Sequence, residues 1–126
     1  MRDIYPQTAA YLDNTEPWDD DWVGPHLVVT RETSRSSKTL VIKGWVDLSY
    51  MVKPFDLKVL VDDNEVGNAR LEKSGEFALN FPLQSNLAPG KHTVEVQSSA
   101  WYVPHRFTRN GDFRPLAWKL ITIEVS

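Results

Sequence analysis

The feature that most constrains this chain is an alternation of apolar and polar residues in short runs. In one such run Phe55, Leu57 and Val59 are apolar, and Asp56 and Lys58 stand between them. A period of two places successive side chains on opposite faces of an extended strand. Each run therefore predicts a strand that buries one face and leaves the other in solvent.

Seven strands are predicted in this way, at the regular spacing that is typical of antiparallel sandwiches. They cover residues 27–32, 39–47, 55–61, 66–71, 77–83, 92–97 and 116–125. In the last strand the alternation predicts that Ile121, Ile123 and Val125 share one face.

Turn-forming residues separate these runs. Asp62 and Asp63 open a hairpin turn, since Asp and Asn tolerate a positive φ. Residues 73–75 and 88–90 each end in Gly and predict two further turns. Gly67, inside a strand pattern, predicts a bulge or a point of close contact.

Because every strand has one apolar face to bury, two sheets must face each other. We therefore predict an all-β fold, an antiparallel β-sandwich (Ig-like or jelly-roll-like) of about seven to eight strands, with an open barrel as the alternative. The length of 126 residues suits one domain. We assign residues 23–126 to the sandwich and residues 1–22 to an irregular N-terminal arm or linker that is rich in aromatic residues.

Composition excludes several classes of function. The chain carries 14 Lys and Arg residues against 17 Asp and Glu residues, a net charge of −3, which argues against nucleic acid as the main partner. The absence of cysteine excludes a disulfide scaffold, a thiolate zinc site and a cysteine nucleophile. No run is long and apolar enough for a membrane span, and no export signal is visible, so we expect the cytoplasm.

Four segments resemble a known family. They are 20–25, 89–94, 101–104 and 111–117, which read Asp-Asp-Trp-Val-Gly-Pro, Pro-Gly-Lys-His-Thr-Val, Trp-Tyr-Val-Pro and Gly-Asp-Phe-Arg-Pro-Leu-Ala. In combination they resemble the β-sandwich accessory domains that are found beside bacterial glycosyltransferases and related sugar-modifying enzymes. The resemblance covers about residues 19–125.

The chain departs from that family pattern at two positions. Asp21 stands where the family has Gly, and Pro115 interrupts the approach to the last strand. The resemblance implies a non-catalytic module associated with carbohydrate metabolism. It carries over no ligand-binding residue.

Aromatic residues form 11% of the chain, and many lie in the predicted arm or in the long loop 98–115. Two interpretations are open: the loop folds over one end of the sandwich and buries its rings as a plug, or the rings form a ligand surface. Aromatic faces pack on the C–H face of a sugar ring, and polar neighbours bond its hydroxyls. The candidate ligand-binding residues are Trp22, Trp101, Tyr102, His105, Arg106 and Asn110.

Charged residues near this loop favour a structural role. Asp112 and Arg114 stand two apart in an extended segment, so their side chains point the same way. We expect Arg114 to pair with Asp112 or with the acidic run 19–21 and so to fix the loop, rather than to hold an anionic group of a sugar. Consecutive carboxylates alternate in direction and no EF-hand spacing follows, so we expect no metal site.

No motif for catalysis is present. His26, His92 and His105 form no metal-binding spacing, and Ser98 lacks the glycines of a nucleophile elbow. Paired carboxylates for glycoside hydrolysis would be recognised only by their separation in space. We therefore expect no enzymatic activity and no cofactor.

The sequence predicts a binding protein. Our first interpretation is a non-catalytic carbohydrate-binding or carbohydrate-enzyme accessory module that binds glycan through loop aromatics. The alternative is a structural or protein-interaction domain that docks a glycosyltransferase-type catalytic partner or associates with itself. The partner is therefore a glycan or a catalytic domain, and the sequence leaves the oligomeric state open.

Overall fold

A computed structural model of the protein describes residues 5–51 and 54–126, with only the backbone of Gln84 and Ser85. The start of the predicted arm (1–4) and part of the turn predicted at 50–54 (52–53) lie outside the described residues. Eight strands, two short helices and one 3₁₀ turn are present in the described part. In chain order they are α1 (Pro6–Ala9), β1 (Trp22–Val23), β2 (His26–Thr33), β3 (Ser37–Val46), the 3₁₀ turn (Leu48–Tyr50), β4 (Phe55–Val61), β5 (Asn64–Leu71), β6 (Gly75–Leu87), β7 (Gly90–Ser98), α2 (Pro104–Thr108) and β8 (Trp118–Val125).

The strands form two four-stranded antiparallel sheets, which confirms the predicted sandwich. The first sheet has the order β1-β8-β3-β6, and the second has the order β2-β7-β4-β5. The predicted strands all exist, with ends that differ by a few residues. The added strand is β1, which places Trp22 in the first sheet although the sequence assigned it to the arm.

The core lies between the sheets and follows the predicted alternation. Leu40, Ile42 and Val46 of β3 are buried, as are Leu57 and Val59 of β4. These side chains come from both sheets, so their burial holds the two layers together through the hydrophobic effect.

Two glycines permit close packing in this core. A Cβ atom at Gly44 would lie 2.6 Å from the Trp118 ring and 2.7 Å from the Phe77 ring. At Gly67 it would lie 2.7 Å from the Phe81 ring, which confirms the predicted close contact. Glycine is required at both positions because a ring occupies the space of its missing side chain.

The prediction that Ile121 shares a face with Ile123 is wrong. Leu120 pairs with Gly44 and Thr122 pairs with Lys43, so Ile121 is an extra residue on β8 with no partner of its own on β3. This β-bulge shifts the alternation by one residue. Ile121 is consequently exposed, whereas Ile123 is buried.

The turn predictions are confirmed by backbone angles. Asp62 and Asp63 have φ values of 49° and 68°, as a tight hairpin between β4 and β5 requires. Gly75 and Gly90, which end the two other predicted turns, have φ values of 119° and 129°. A side chain at either glycine would be strained in this region.

The described part of the N-terminal segment packs against the sandwich. Thr8 of α1 is fully buried, and its hydroxyl donates a 2.6 Å hydrogen bond to the Phe113 carbonyl. The Val28 amide of β2 donates to the Thr15 carbonyl at 2.8 Å. The described segment therefore lies on the domain rather than extending away from it.

None of the helices in the described residues is long and apolar enough to cross a membrane.

Candidate functional site: an aromatic surface at one end of the first sheet

Two tryptophans lie side by side on the outer face of the first sheet because of strand register. Trp22 of β1 pairs with Lys119 of β8, and Lys119 also pairs with Trp45 of β3. Directly opposite residues project from the same face of a sheet, so these side chains form one cross-strand row. The ring centroids of Trp22 and Trp45 are 5.9 Å apart in an edge-to-face arrangement. The row therefore has an aromatic residue at each end and a cation between them.

Three further rings extend this row into a continuous surface. The Tyr102 centroid is 6.3 Å from that of Trp22, and the Tyr50 centroid is 5.4 Å from that of Tyr102. Phe107 stacks on Tyr50, with centroids 4.5 Å apart and planes inclined by 29°. We call Trp22, Trp45, Tyr50, Tyr102 and Phe107 the aromatic ridge.

The rings of the aromatic ridge differ in exposure. Tyr50 is 40% exposed and Phe107 is 46% exposed, whereas Tyr102 retains only 9%. Trp22 and Trp45 are half-buried. Tyr102 therefore supports the ridge from beneath, while the Tyr50–Phe107 stack presents apolar surface to solvent.

The turn after β3 places Tyr50. The Asp47 carboxylate accepts a 2.9 Å hydrogen bond from the Ser49 amide and caps the 3₁₀ turn. The Leu48 amide donates to the Ser74 hydroxyl at 2.9 Å, which ties this turn to the β5–β6 turn. The buried Leu48 side chain anchors the same turn in the core. Tyr50 is thereby directed outward beside Tyr102.

Helix α2 places Phe107. Pro104 stands in its first turn, where the missing amide hydrogen costs nothing. The helix ends at Thr108 and is capped by Arg109, whose φ of 54° is left-handed. The Gly111 amide then donates to His105 Nδ1 at 2.9 Å and closes the following turn. The predicted irregular loop 98–115 thus contains one short helix, and this helix carries the most exposed ring of the ridge.

Arg114 fastens this loop to the N-terminal segment. Its Nε and Nη2 donate to Asp112 at 2.9 and 2.8 Å, and its Nη1 and Nη2 donate to Asp20, both at 2.9 Å. Its guanidinium also lies 5.2 Å from the Trp18 ring centroid. The pairing predicted for Arg114 is confirmed with both Asp112 and the acidic run.

These contacts change the acidity of the groups involved. The Arg114 hydrogen bonds hold the pKa of Asp112 and of Asp20 below the usual value of 3.8, against the opposing effect of desolvation. The same two carboxylates raise the pKa of Arg114. The three groups therefore stay charged and paired throughout the physiological range.

The sequence-predicted residues fall into two groups. Trp22 belongs to the aromatic ridge, and Arg106 lies beside Phe107, with its guanidinium 5.9 Å from the ring centroid. Tyr102 belongs to the ridge but is buried, so its face is covered by neighbouring rings. Burial raises the pKa of Tyr102 to about 12, with a smaller contribution from the Asp47 charge.

The remaining predicted residues hold the loop together. Trp101 is half-buried and packs against the core. The His105 ring packs on Phe113 with centroids 4.3 Å apart and planes inclined by 31°, and Tyr5 packs edge-on against both rings. The Asn110 side-chain oxygen Oδ1 accepts a hydrogen bond from the Asp112 amide at 3.0 Å. The rings of Trp101 and His105 pack within the loop and against the core, as the plug interpretation has it. Their part in ligand binding stays a prediction.

The candidate residues predicted from the sequence do not include Trp45, Tyr50 or Phe107, although Phe107 lies in the loop 98–115 that was expected to carry the ligand surface. The alternation in residues 39–47 predicts that Trp45 lies on the face opposite Leu40 and Ile42, but nothing in one strand reveals that Trp22 lies two strands away. Tyr50 lies in the turn predicted at 50–54, where the sequence pattern indicates no ligand surface. A signal was present, since Trp45, Asp47 and Tyr50 stand close together in the sequence around the end of one strand.

Among the described residues, no group of three His, Asp or Glu side chains lies close enough together to hold a metal ion. Asp20 of the acidic run is already bound to Arg114.

No protein-family model matches the chain, and no curated protein is similar to it in sequence. Solved structures do resemble it. A family 35 carbohydrate-binding module from an environmental isolate superposes with a TM-score of 0.52 at 12% identity, over 85% of this chain and 69% of that one. The C-terminal domain of EclA, described as a sugar-binding protein, gives 0.53 at 11% identity, over 89% of this chain and 73% of that one.

A third similar structure is latent PorU from Porphyromonas gingivalis, with a TM-score of 0.54 at 10% identity. The match covers 80% of this chain but only 10% of PorU. At these identities the likeness establishes a β-sandwich fold that carbohydrate-binding modules share.

Proposed function

We propose that the domain is a non-catalytic carbohydrate-binding module and that the aromatic ridge binds the glycan. The observation that carries this proposal is the exposed stack of Tyr50 and Phe107, supported from beneath by Tyr102. Aromatic rings held in place by a core lose little conformational freedom when a ligand packs on them. A sugar ring would lie with its C–H face against this stack.

Polar groups border the ridge on several sides. Lys119 stands between Trp22 and Trp45, and Asp47 caps the turn that leads to Tyr50. An apolar wall with a few charged or polar groups at its rim is the usual composition of a small-ligand site. We propose that these groups and Arg106 form hydrogen bonds with the sugar hydroxyls.

The fold likeness supports this class of function, because a carbohydrate-binding module and a sugar-binding domain superpose on most of the chain. The association with a glycosyltransferase-type enzyme, and a bacterial origin, are proposals that rest on the motif resemblance of residues 19–125 alone. A cytoplasmic location likewise stays a proposal.

A glycan array with the full chain tests the proposal. Single modules bind weakly, and a dissociation constant near 1 mM corresponds to only about −4 kcal/mol, so the protein is applied at high concentration. Because Trp22 and Trp45 lie in the ridge, we expect a bound glycan to change the tryptophan emission. Glycan binding that leaves the emission unchanged would place the ligand elsewhere.

The second candidate is a docking surface for a protein partner or a second copy. Exposed aromatic residues are also enriched at protein interfaces, and Ile121 adds a further exposed apolar side chain on the first sheet. This candidate predicts a complex in sedimentation or pull-down experiments and no response on the array.

A further inference from the structure

A polar groove lies on the opposite side of the sandwich, over strands β4, β5 and β7 of the second sheet. Its volume is about 660 Å³, within the range of ligand sites. None of the described residues that line it is aromatic, so it differs in chemistry from the aromatic ridge. Its lining side chains include Asp56, Lys58, Asn68, Arg70, Gln97 and Ser99.

Strand register places these side chains in ordered rows. Lys58 of β4 stands opposite Asn68 of β5 on one side and Gln97 of β7 on the other. Asp56 stands opposite Arg70 in the next row. Opposed residues share a face, so the polar groups project together from three neighbouring strands. Rigid strands hold such groups more accurately than loops do.

The charges of the groove are balanced. Arg70 donates from Nε and Nη2 to the two carboxylate oxygens of Asp56 at 2.8 and 3.2 Å. The Lys58 ammonium lies 3.4 Å from the Glu65 carboxylate. Each cation is therefore matched by an anion, and the groove offers no surplus charge to an ionic ligand.

Hydrogen-bonding capacity remains after this pairing. The guanidinium of Arg70 has five N–H groups, of which the pair with Asp56 uses two. Within the described residues the Asn68 amide has no side-chain partner. Gln97 donates its amide to Glu95, which fixes the side chain and leaves Oε1 as an acceptor. A sugar hydroxyl both donates and accepts, and adjacent hydroxyls match such a mixed array of groups.

We propose that this groove is a second glycan subsite, which binds a neutral sugar residue by hydrogen bonds without aromatic stacking. The ligand class rests on the proposed function, but the site is separate from the aromatic ridge. Because the two sites occupy different sheets, one domain can hold two glycan segments. Simultaneous binding at both sites raises the avidity of the domain for a polysaccharide above the affinity of either site alone.

Backbone amide shifts in a nuclear magnetic resonance titration test this proposal. The probes are the neutral hexasaccharides of β-1,4-linked glucose, xylose and mannose, with hexagalacturonate as the charged comparison. We expect at least one neutral hexasaccharide to shift the amides of β4, β5 and β7 around the groove. The same shifts persist in Phe107→Ala, which removes a ring of the ridge.

Variants of the groove complete the test. In the Asn68→Ala/Arg70→Gln double variant we expect the dissociation constant measured from the groove amides to rise about tenfold or more. Asn80→Ala, an exposed amide on β6 of the first sheet, is the matched control and leaves that constant unchanged. If the dissociation constant measured from the groove amides does not change in the double variant, the proposal is overturned.

The possible failures are distinct. Shifts confined to the ridge overturn the second subsite and leave the proposed function intact. Preferential binding of hexagalacturonate in the groove overturns the neutral ligand class. No shift in either region with any hexasaccharide contradicts both the subsite and the proposed function.

Discussion

Arg114 and Asp20 are joined by two hydrogen bonds of 2.9 Å across 94 residues of sequence. Arg114 also bonds Asp112, two residues away on its own segment. One guanidinium therefore links the loop that carries α2 to the segment that leads into β1. Phe107 lies on that loop and Trp22 begins β1, so this link positions two parts of the aromatic ridge relative to each other.

Replacement of Arg114 by Met will destabilise the fold by about 2 kcal/mol, because it leaves two carboxylates without their partner in a partly buried site. Equilibrium unfolding in urea measures this loss. The matched control is Arg70→Met, which breaks a similar bidentate pair with Asp56 on an exposed surface. Exposed pairs contribute little, so we expect no measurable change there. Equal losses for the two variants would contradict the structural role of Arg114.

The pairing of Arg114 was predictable from the sequence, because two charges at i and i+2 of an extended segment must share a side. The sandwich was also predictable, since the alternation in β3 and β4 is nearly uninterrupted. The face of Ile121 was not, because a bulge depends on how β8 pairs with β3. The ridge was found only in part, because Trp22 and Trp45 meet through strand order, which no local pattern encodes.

The tight contact at Gly44 gives a second prediction. Gly44→Ala will cost about 3 kcal/mol, because the new methyl group would meet the Trp118 ring, the Phe77 ring and a backbone carbonyl at once. Gly67→Ala will cost less, about 1–2 kcal/mol, since only the Phe81 ring must move. Thermal unfolding of both variants measures the order. A larger loss at Gly67 would show that the Gly44 contact is wrongly placed.

His92 predicts a dependence of stability on pH. Its Nε2 faces the Ala88 carbonyl and its Nδ1 faces the Asp62 carboxylate, both at 2.6 Å, so both acceptors are satisfied only when the ring is protonated. These contacts raise the pKa of His92 above 6.5. Burial opposes the ionisation of Asp62, but the hydrogen bonds from His92 and the Thr93 amide leave its pKa below 3.8.

A raised histidine pKa contributes stability that is complete below pH 6.5 and is lost as the pH rises through the raised value. A lowered carboxyl pKa contributes stability above pH 3.8 that is lost as the pH falls through the lowered value. The difference in unfolding free energy between the wild type and His92→Gln will therefore shrink as the pH rises from 6.5 through the raised pKa of His92. A difference that grows over this range would contradict a raised pKa for His92.

A variant of Tyr102 tests whether this ring supports the fold or contacts the ligand. Tyr102→Ala will destabilise the fold by about 3–4 kcal/mol, because it leaves a cavity beneath Trp22 and Tyr50. Chemical denaturation measures this cost. In the wild type, ultraviolet absorbance will show one tyrosine that ionises only near pH 12. A variant of wild-type stability, with glycan binding alone reduced, would instead assign Tyr102 to the ligand surface.

The most direct measurement of the central claim is the affinity of Tyr50→Ala and Phe107→Ala for the strongest glycan on the array. We expect each variant to fold with near wild-type stability and to bind that glycan at least about tenfold more weakly. The matched control is Tyr11→Ala, which removes a tyrosine of similar exposure (38%) that packs on Trp18 outside the ridge. Unchanged affinity in both ridge variants, or an equal loss in Tyr11→Ala, would contradict the aromatic ridge as the glycan-binding surface.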